Sequence, residues 1–339
     1  MFKNFTKPYI IAELSGNHNG SLNRAKDIIL SAKNNGADCV KLQTYTPDTM
    51  TIKSNKKDFL ISDGLWSGYN LWDLYNEAHT PYEWQEKLFD YAKSVDIPII
   101  STPFDETAVD LLERIKCPFY KIASFELTDL PLIEYIAKTN KPIIASTGMA
   151  NEEEIGEAVD VIRQYGCGEL VLLHCVSGYP TPADQINLET ISLLKSKFKT
   201  EVGLSDHTIG NTSAVLSVAY GVKVIEKHYT LKRSDGGPDA DFSMEPSELK
   251  DLVKNVEIAS KSMGKASFER KKAEESNIKF RRSIYIVKDM KKGEQLKEDN
   301  IRRIRPGFGL PPKYYNQVLG KTLNIDVEKG TALDWSIID

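Results

Sequence analysis

No apolar run in this chain approaches the 18 or so residues that a membrane-spanning helix needs, so a membrane protein of the helical kind is excluded. The opening stretch MFKNFTKPY also lacks the apolar core of a secretory signal, and the chain reads as cytoplasmic. Cysteine is scarce, at 4 in 339 residues, and no pair has CxxC spacing. That excludes a disulfide framework and a zinc knuckle, and leaves Cys39, Cys117 and Cys175 as reduced, buried thiols. Excess charge of one sign is missing as well: 44 basic against 48 acidic residues give a net charge of -4. With no basic surface for nucleic acid, an anionic ligand has to be held by a few local lysines. No GxGxxG turn follows any apolar run, which argues against a doubly wound nucleotide-binding sheet.

What the chain does have is a series of eight short apolar runs in its first 230 residues, each ending in polar side chains. They end at Glu13, at Lys41 and Gln43, at Ser101 and Thr102, at Lys121 and Ser124, at Ser146 and Thr147, at His174, at Ser205, Asp206 and His207, and at Glu226, Lys227 and His228. Near-continuous apolar runs of this length are strands buried on both faces, as in a parallel sheet. Between them, residues 22–35, 82–95, 106–116, 130–139, 152–164 and 188–197 place apolar residues at a period near 3.6, which predicts amphipathic helices. Strand and helix alternating eight times predict an α/β fold, a (β/α)8 TIM barrel, with all polar tips at one mouth.

At 339 residues the chain exceeds the roughly 250 of a barrel alone. The texture changes at 265–282, KASFERKKAEESNIKFRR, a charged and aperiodic linker or exposed helix. Beyond it, SIYIVKDM, NIRRIRPGFGL and KTLNIDVEKGTAL are short strand-like runs between glycine turns. They predict a small mostly-β domain at 283–339 after a barrel domain at 1–264, small enough at about sixty residues to be marginal without support.

The strongest chemical pair is His207 with His228, 21 residues apart, about one strand-helix repeat. Adjacent strands would bring both imidazoles to one mouth, where two nitrogens with open positions hold a divalent ion such as Mn²⁺ or Mg²⁺; the competing reading is that each bonds only a neighbouring carbonyl. His18 and His174 would share that mouth, and His79 falls in a long insertion. A second group is cationic and hydroxylic: Lys41, Lys121, Thr102, Ser124, Ser146 and Ser205. An inward lysine is costly unless it meets an anion, so this group suits a phosphate or carboxylate, although single strand-end hydroxyls are commonly helix caps. Glu13, Gln43 and Glu126 add acceptors for sugar hydroxyls or protons; each carboxylate could equally be a salt-bridge partner of the lysines.

The motifs IIAELSGNHNG at 10–20, VKLQTY at 40–45, STPFD at 101–105, YKIAS at 120–124 and STGM at 146–149 resemble the sialic acid synthases. So do LLHCVSGYPTP at 172–182, GLSDHT at 203–208, EKHYT at 226–230, GGPDADFSMEP at 236–246, RRSIYIVKDMKKGE at 281–294 and NIRRIRPGFGLPP at 300–312. The last segments resemble the antifreeze-like, or SAF, domain that ends those enzymes. Ser15 in AELSGNHNG and the insertion DGLWSGYNLWDLYNEAHTPYEW at 63–84 are closest to the family's pseudaminic acid branch, with Tyr82 and Gln85 where that pattern has Trp and His. Trp66, Tyr69, Trp72, Tyr75 and Trp84 in this insertion are candidates for an aromatic lid suited to a deoxy sugar, and at least half of them for packing the loop instead.

The resemblance implies an enzyme that condenses phosphoenolpyruvate with 2,4-diacetamido-2,4,6-trideoxy-altropyranose and water, giving pseudaminic acid and phosphate with C–O cleavage. His207 and His228 would hold the divalent Mn²⁺ or Mg²⁺, while Lys41, Thr102, Lys121, Ser124, Ser146 and Ser205 would hold phosphoenolpyruvate. Glu13, Gln43, Glu126 and Asp239 would orient the sugar or handle protons. Arg305, in RIRPG, would act in trans on the sugar in a domain-swapped homodimer. Competing readings are a neuraminate or legionaminate synthase taking a manno-configured sugar, a metal-dependent barrel hydrolase, and a catalytically silent carbohydrate-binding protein.

Overall fold

The computed structural model describes residues 2–339, which divide into two compact units, one running to Gly264 and the other from Lys265 to Asp339. In the first, β1 (Tyr9–Glu13), β2 (Cys39–Thr44), β3 (Ile99–Pro103), β4 (Tyr120–Ile122), β5 (Ile143–Ser146), β6 (Leu170–Cys175), β7 (Glu201–Ser205) and β8 (Val224–His228) form a closed parallel barrel in sequence order. Closure pairs β8 with β1 and sets Glu13 in register with both Lys41 and His228. These strands correspond to the eight polar-tipped runs.

The connecting helices follow the apolar spacing closely. Leu22–Asn34, Tyr82–Ser94, Glu106–Arg114, Leu130–Ala137, Glu152–Tyr165 and Thr190–Phe198 are helical, within about three residues of the boundaries expected from periodicity. Local chemistry starts them: Ser21 accepts from Arg24 N, Asp105 from the Thr107 and Ala108 amides, and Asn151 forms a reciprocal capping box with Glu154. Their inner faces, such as Ile28, Ile29 and Ala32, pack on the outward strand residues in one continuous core. The longest helix, Pro246–Met263, is absent from the sequence expectations. Its signals are the proline near its start, the Glu245/Glu248 capping box and the buried Leu249, Leu252 and Val256.

Side chains alternate across each strand. On β2, Lys41 and Gln43 line the cavity at the barrel mouth, and on β8, Glu226 and His228 do so. The intervening Lys227 faces away from it and donates 2.8 Å hydrogen bonds to Asp206 Oδ2 and to the Thr208 carbonyl. Both partners of this ion pair are almost fully buried, at 2% and 0% side-chain exposure. The lysine thus grips the backbone on either side of His207. Gly203 on β7 has no room for a side chain, because a Cβ there would meet Leu173 and the Val224 carbonyl.

The second unit has its own core, including Ile284, Ile286, Leu296, Ile301, Leu323 and Leu333. Two antiparallel strands, β9 (Ser283–Ile286) and β10 (Ile301–Ile304), are its only regular sheet among the described residues, extended by isolated bridges such as Met290 with Val327. Residues 265–282 hold only a short helix, Lys272–Glu275, and a 3₁₀ turn, and are mostly exposed.

Lys227→Met leaves the Asp206 carboxylate buried without its cation and is expected to lower unfolding free energy by about 3–5 kcal/mol in urea titrations. The double variant Asp206→Leu with Lys227→Met removes both charges and is expected to lose less than half as much. Equal losses for the two variants would show that packing, not charge pairing, sets the stability here.

Candidate active site

A cavity of about 430 Å³ opens at the C-terminal end of the barrel strands. Its floor is a buried chain of alternating charges. Lys41 Nζ lies 2.6 Å from Glu13 Oε2 and 3.6 Å from Glu226 Oε1, and Lys121 Nζ lies 3.5 Å from the same Glu226 oxygen. Lys41 also donates to Thr102 Oγ1 at 3.2 Å, and Ser205 donates to Glu226 Oε1 at 3.4 Å. Burial drives the Glu13 pKa above the usual carboxylate value, with Lys41 opposing and Glu226 adding to the rise. Glu226 moves the other way: burial is outweighed by Lys121 and Lys41, and its pKa falls. Burial pushes Lys121 down, whereas for Lys41 the attraction of Glu13 and Glu226 overcomes burial and raises it. The Glu226 carboxylate is thus the firm anion of the group.

At one end of the cavity stand His207 and His228, with ring centroids 5.4 Å apart. His207 Nδ1 bonds the Val176 carbonyl at 3.0 Å, which directs Nε2 elsewhere. Burial opposes charge on His207, but the neighbouring Cys175 thiol and the Val176 carbonyl outweigh it and raise its pKa. His228 is held well below the usual imidazole value by burial, then by His207 and the lysines, so its ring is neutral. Its Nδ1 has no hydrogen-bond partner and lies 3.9 Å from Asp239 Oδ2. Among the described residues no cluster of three or more His, Cys, Asp or Glu side chains is arranged around a cation site. The two imidazoles nonetheless fit a divalent ion as a two-nitrogen site whose other positions are left open.

Tyr179 and Phe242 pack beside these imidazoles, Tyr179 at 4.4 Å from the His207 ring and Phe242 at 4.8 Å from that of His228. Asp239 is bonded by the Ser15 hydroxyl, and burial raises its pKa against that bond. Cys175 also faces the cavity; burial would raise its thiol, but His207 leads the contacts that bring it down to about 7.

Of the residues singled out in the sequence, Lys41, Gln43, Lys121, Ser124, Glu126, Ser146, Ser205, His207, His228 and Asp239 all line this one cavity. Glu13 and Thr102 sit behind it as the partners of Lys41. Arg305 is exposed on the second unit, just after β10. His174 is turned away, bonded to the Ile186 carbonyl at 2.5 Å, and His18 is buried edge-on against Trp84. Neither lines the mouth as expected. Trp66 and Tyr75 line the cavity, whereas Trp72 bonds Asp48, Tyr69 bonds Glu77 and Trp84 packs on the core. The departures at Tyr82 and Gln85 lie outside the cavity lining; Gln85 is buried and bonds the Gln43 carbonyl. Glu226 as counter-ion of both lysines, and Tyr179 as the ring beside the histidines, were not picked out by sequence reasoning. The period-2 position of Glu226 ahead of His228 was the available signal for the first. Tyr179 lies in an irregular loop where no period applies, and its signal was its place in the motif LLHCVSGYPTP.

Several cavity groups are buried with no partner: Ser146 Oγ, Glu126 Oε2, Glu226 Oε2 and His228 Nδ1. Native proteins pair nearly all such atoms, so a cluster of them facing one space marks a ligand site. Glu126 is pushed up to about 7 by burial, with Lys121 opposing, which puts it near neutrality for proton exchange.

Comparisons with known proteins agree with this arrangement. Residues 28–268 match the NeuB family and residues 281–338 match the SAF domain. The chain is 44% identical to pseudaminic acid synthase of Campylobacter jejuni (strain 81-176), over 98% of this chain and 97% of that one. It is 42% identical to pseudaminic acid synthase of Helicobacter pylori, over 96% of each. N,N'-diacetyllegionaminic acid synthase of Campylobacter jejuni is 40% identical over 93% of this chain and 95% of that one. The crystal structure of an N-acetylneuraminic acid synthetase from Leptospira borgpetersenii in complex with citrate matches with a TM-score of 0.72 at 32% identity, covering 80% of this chain and 91% of that one. A barrel that gathers the motif residues at one mouth, and a family match spanning most of that barrel, give one conclusion: the chain belongs to the NeuB family.

Proposed function

We propose that this chain catalyses the pseudaminic acid synthase reaction, joining phosphoenolpyruvate to 2,4-diacetamido-2,4,6-trideoxy-altropyranose with uptake of water and release of phosphate by C–O cleavage. The observation that carries the chemistry is the single cavity that holds two lysines, three carboxyls and two imidazoles with unpartnered polar atoms turned into it. The 44% and 42% identities to pseudaminic acid synthases over nearly the full chain support the choice of sugar. The same reading divides the chain into a barrel domain at 1–264, a linker at 265–282 and a SAF domain at 283–339.

Lys41 and Lys121 would attract the phosphate and carboxylate of phosphoenolpyruvate, with Ser124, Ser146 and Ser205 donating hydrogen bonds. Ser146 Oγ, buried and unpartnered, is the clearest of these donors. Thr102 serves this group by positioning Lys41. Glu13 would hold Lys41 from behind, and its raised pKa lets it carry a proton as anionic charge arrives. Glu126, near neutrality, would exchange a proton with the sugar, while Gln43 and Asp239 would orient its hydroxyls. A divalent cation such as Mn²⁺ or Mg²⁺ held by His207 and His228 would supply Lewis-acid polarisation of the sugar aldehyde. Arg305 would reach the sugar from a second copy, in a homodimer whose sites are completed in trans.

Phosphate release from phosphoenolpyruvate in the presence of Mn²⁺ should occur with the altro-configured deoxy sugar, and far more slowly with its manno-configured counterpart or N-acetylmannosamine. Preference for a manno sugar would move the chain to the legionaminate or neuraminate branch, and no release with any of them would reject a synthase. Chelation should abolish turnover and added Mn²⁺ restore it. His228→Ala is expected to lower kcat at least 100-fold and weaken Mn²⁺ binding, measured by electron paramagnetic resonance, with unchanged thermal unfolding. Arg305→Ala should cost about 10- to 100-fold in kcat/KM for the sugar, the loss of a charged hydrogen bond. Mixing Arg305→Ala with His228→Ala should regain part of the wild-type rate if the arginine acts across subunits. No recovery in refolded mixtures would place its action within one chain.

A further inference from the structure

The cavity has a second face that the phosphoenolpyruvate and cation roles do not use. Met50, Ile61, Leu71 and Leu74 line it together with the rings of Tyr45 and Tyr75, and none of these side chains carries a charge. The same cavity holds the ionic floor of Lys41, Lys121 and Glu226. A cavity for a sugar of hydroxyls alone would gain nothing from such a wall, because a hydroxyl pressed against it gives up water without a replacement partner.

This wall is built rather than incidental. Tyr45 is 2% and Leu74 8% exposed, and the Tyr45 ring packs edge-on against Tyr75 at 5.8 Å and Phe104 at 5.1 Å. Ile61 is fixed through its backbone, donating to the Tyr69 carbonyl and accepting from Gly68 N, both at 2.9 Å. Asn70 caps the helix Leu71–Ala78 by accepting from Trp72 N at 3.0 Å. Trp66 ties the segment to the barrel by donating to the Pro238 carbonyl at 2.8 Å, next to Asp239. The Tyr45, Tyr75 and Phe104 rings form one cluster, and the Trp66, Tyr179 and Phe242 rings around the histidines form another. The two clusters share no ring contact among the described residues.

We propose that this wall is a subsite for the apolar far end of the sugar, and that Ile61, Leu71 and Met50 select a methyl group at C6 over a hydroxymethyl. The inference rests on the sugar-condensing reading above. With the aldehyde carbon at the histidines, C6 of an open-chain hexose lies at the other end of the molecule. The aliphatic part of the wall, Met50, Ile61, Leu71 and Leu74, then offers a C6 hydroxyl no hydrogen-bond partner, and the polar groups of the cavity, Glu126 among them, are left to the other hydroxyls and the amides.

The test compares kcat/KM for two sugars differing only at C6, the 6-deoxy substrate and its 6-hydroxy counterpart, in wild type, Ile61→Asn, Leu71→Asn and Met50→Gln. An apolar pocket discriminates a single hydroxyl by about 10- to 100-fold, so wild type should favour the deoxy sugar by that factor. Each variant should bring the ratio below about 3-fold. Ile61, Leu71 and Met50 are only partly buried, so three independent substitutions guard against loss of fold, which circular dichroism and thermal unfolding monitor. An unchanged ratio in all folded variants, or a wild type indifferent to the C6 hydroxyl, overturns the subsite. No phosphate release by wild type with either sugar instead overturns the synthase reading on which it rests.

Discussion

The mouth of this barrel depends on the charge balance among Glu13, Lys41, Glu226 and Lys121. Two cations buried without anions would unfold the strand ends that carry them, because a lone buried charge costs several kcal/mol. Two fully charged pairs, on the other hand, would leave nothing to attract an anion. The structure resolves this by giving the carboxylates different environments. Glu226 lies between both lysines and its pKa falls, whereas Glu13, wholly buried and touching one lysine, is pushed up. When Glu13 takes a proton, the cluster carries more positive than negative charge and faces a cavity lined by hydroxyls. An incoming phosphate or carboxylate would then complete the balance.

The same alternation that points Glu226 and His228 inward points Lys227 outward, and the outward residue is no less constrained. Its ammonium group contacts only the chain around His207: the Asp206 carboxylate, the Asp206 carbonyl and the Thr208 carbonyl. One strand therefore presents an imidazole to the cavity and, with the residue before it, holds the backbone that presents the other. The backbone amide of Asp206 closes this lock by donating to the Glu226 carbonyl at 2.9 Å. Spacing between the two histidines is thus set by the barrel wall, not by a flexible loop.

Much of this was legible in the sequence because the barrel imposes two strict periods. The runs ending at Glu13, Lys41, Lys121 and His228 are near-continuously apolar, and the intervening stretches have helical spacing, so fold and mouth followed together. Residue type carried the rest: a lysine at an inward strand position or a histidine at a strand end is informative by itself. Partners were not legible. Thr102 and Ser124 are both strand-end hydroxyls, yet one supports Lys41 from behind and the other lines the cavity. His18 and His174 have the same side chain as the two cavity histidines, but His18 Nδ1 accepts from Gly20 N and His174 Nε2 bonds the Ile186 carbonyl. Burial, then His79 and Arg24 nearby, hold His18 down to about 4, and burial lowers His174 too, so both are neutral. The partner of His174 comes from a loop, where neither period applies, although its outward direction follows from strand alternation beside the cavity-facing Cys175.

The insertion between β2 and β3 illustrates why aromatic content alone misleads. Its five rings were candidates for a lid, with at least half of them candidates for packing the loop instead, and the structure separates them by what their polar ends find. Trp72 and Tyr69 reach carboxylates at the surface, so their rings serve the loop. Trp66 reaches a backbone carbonyl of the loop before Asp239 and thereby turns its face to the cavity. Tyr75 has its ring against Tyr45, and burial raises its hydroxyl pKa. The aliphatic side chains of Ile61 and Leu71 line the same cavity as these two rings. A barrel whose floor is fixed by charge has little freedom to change the anion it accepts. The insertion, outside the strand lattice and attached at a few points, is where a change of sugar costs the fold least.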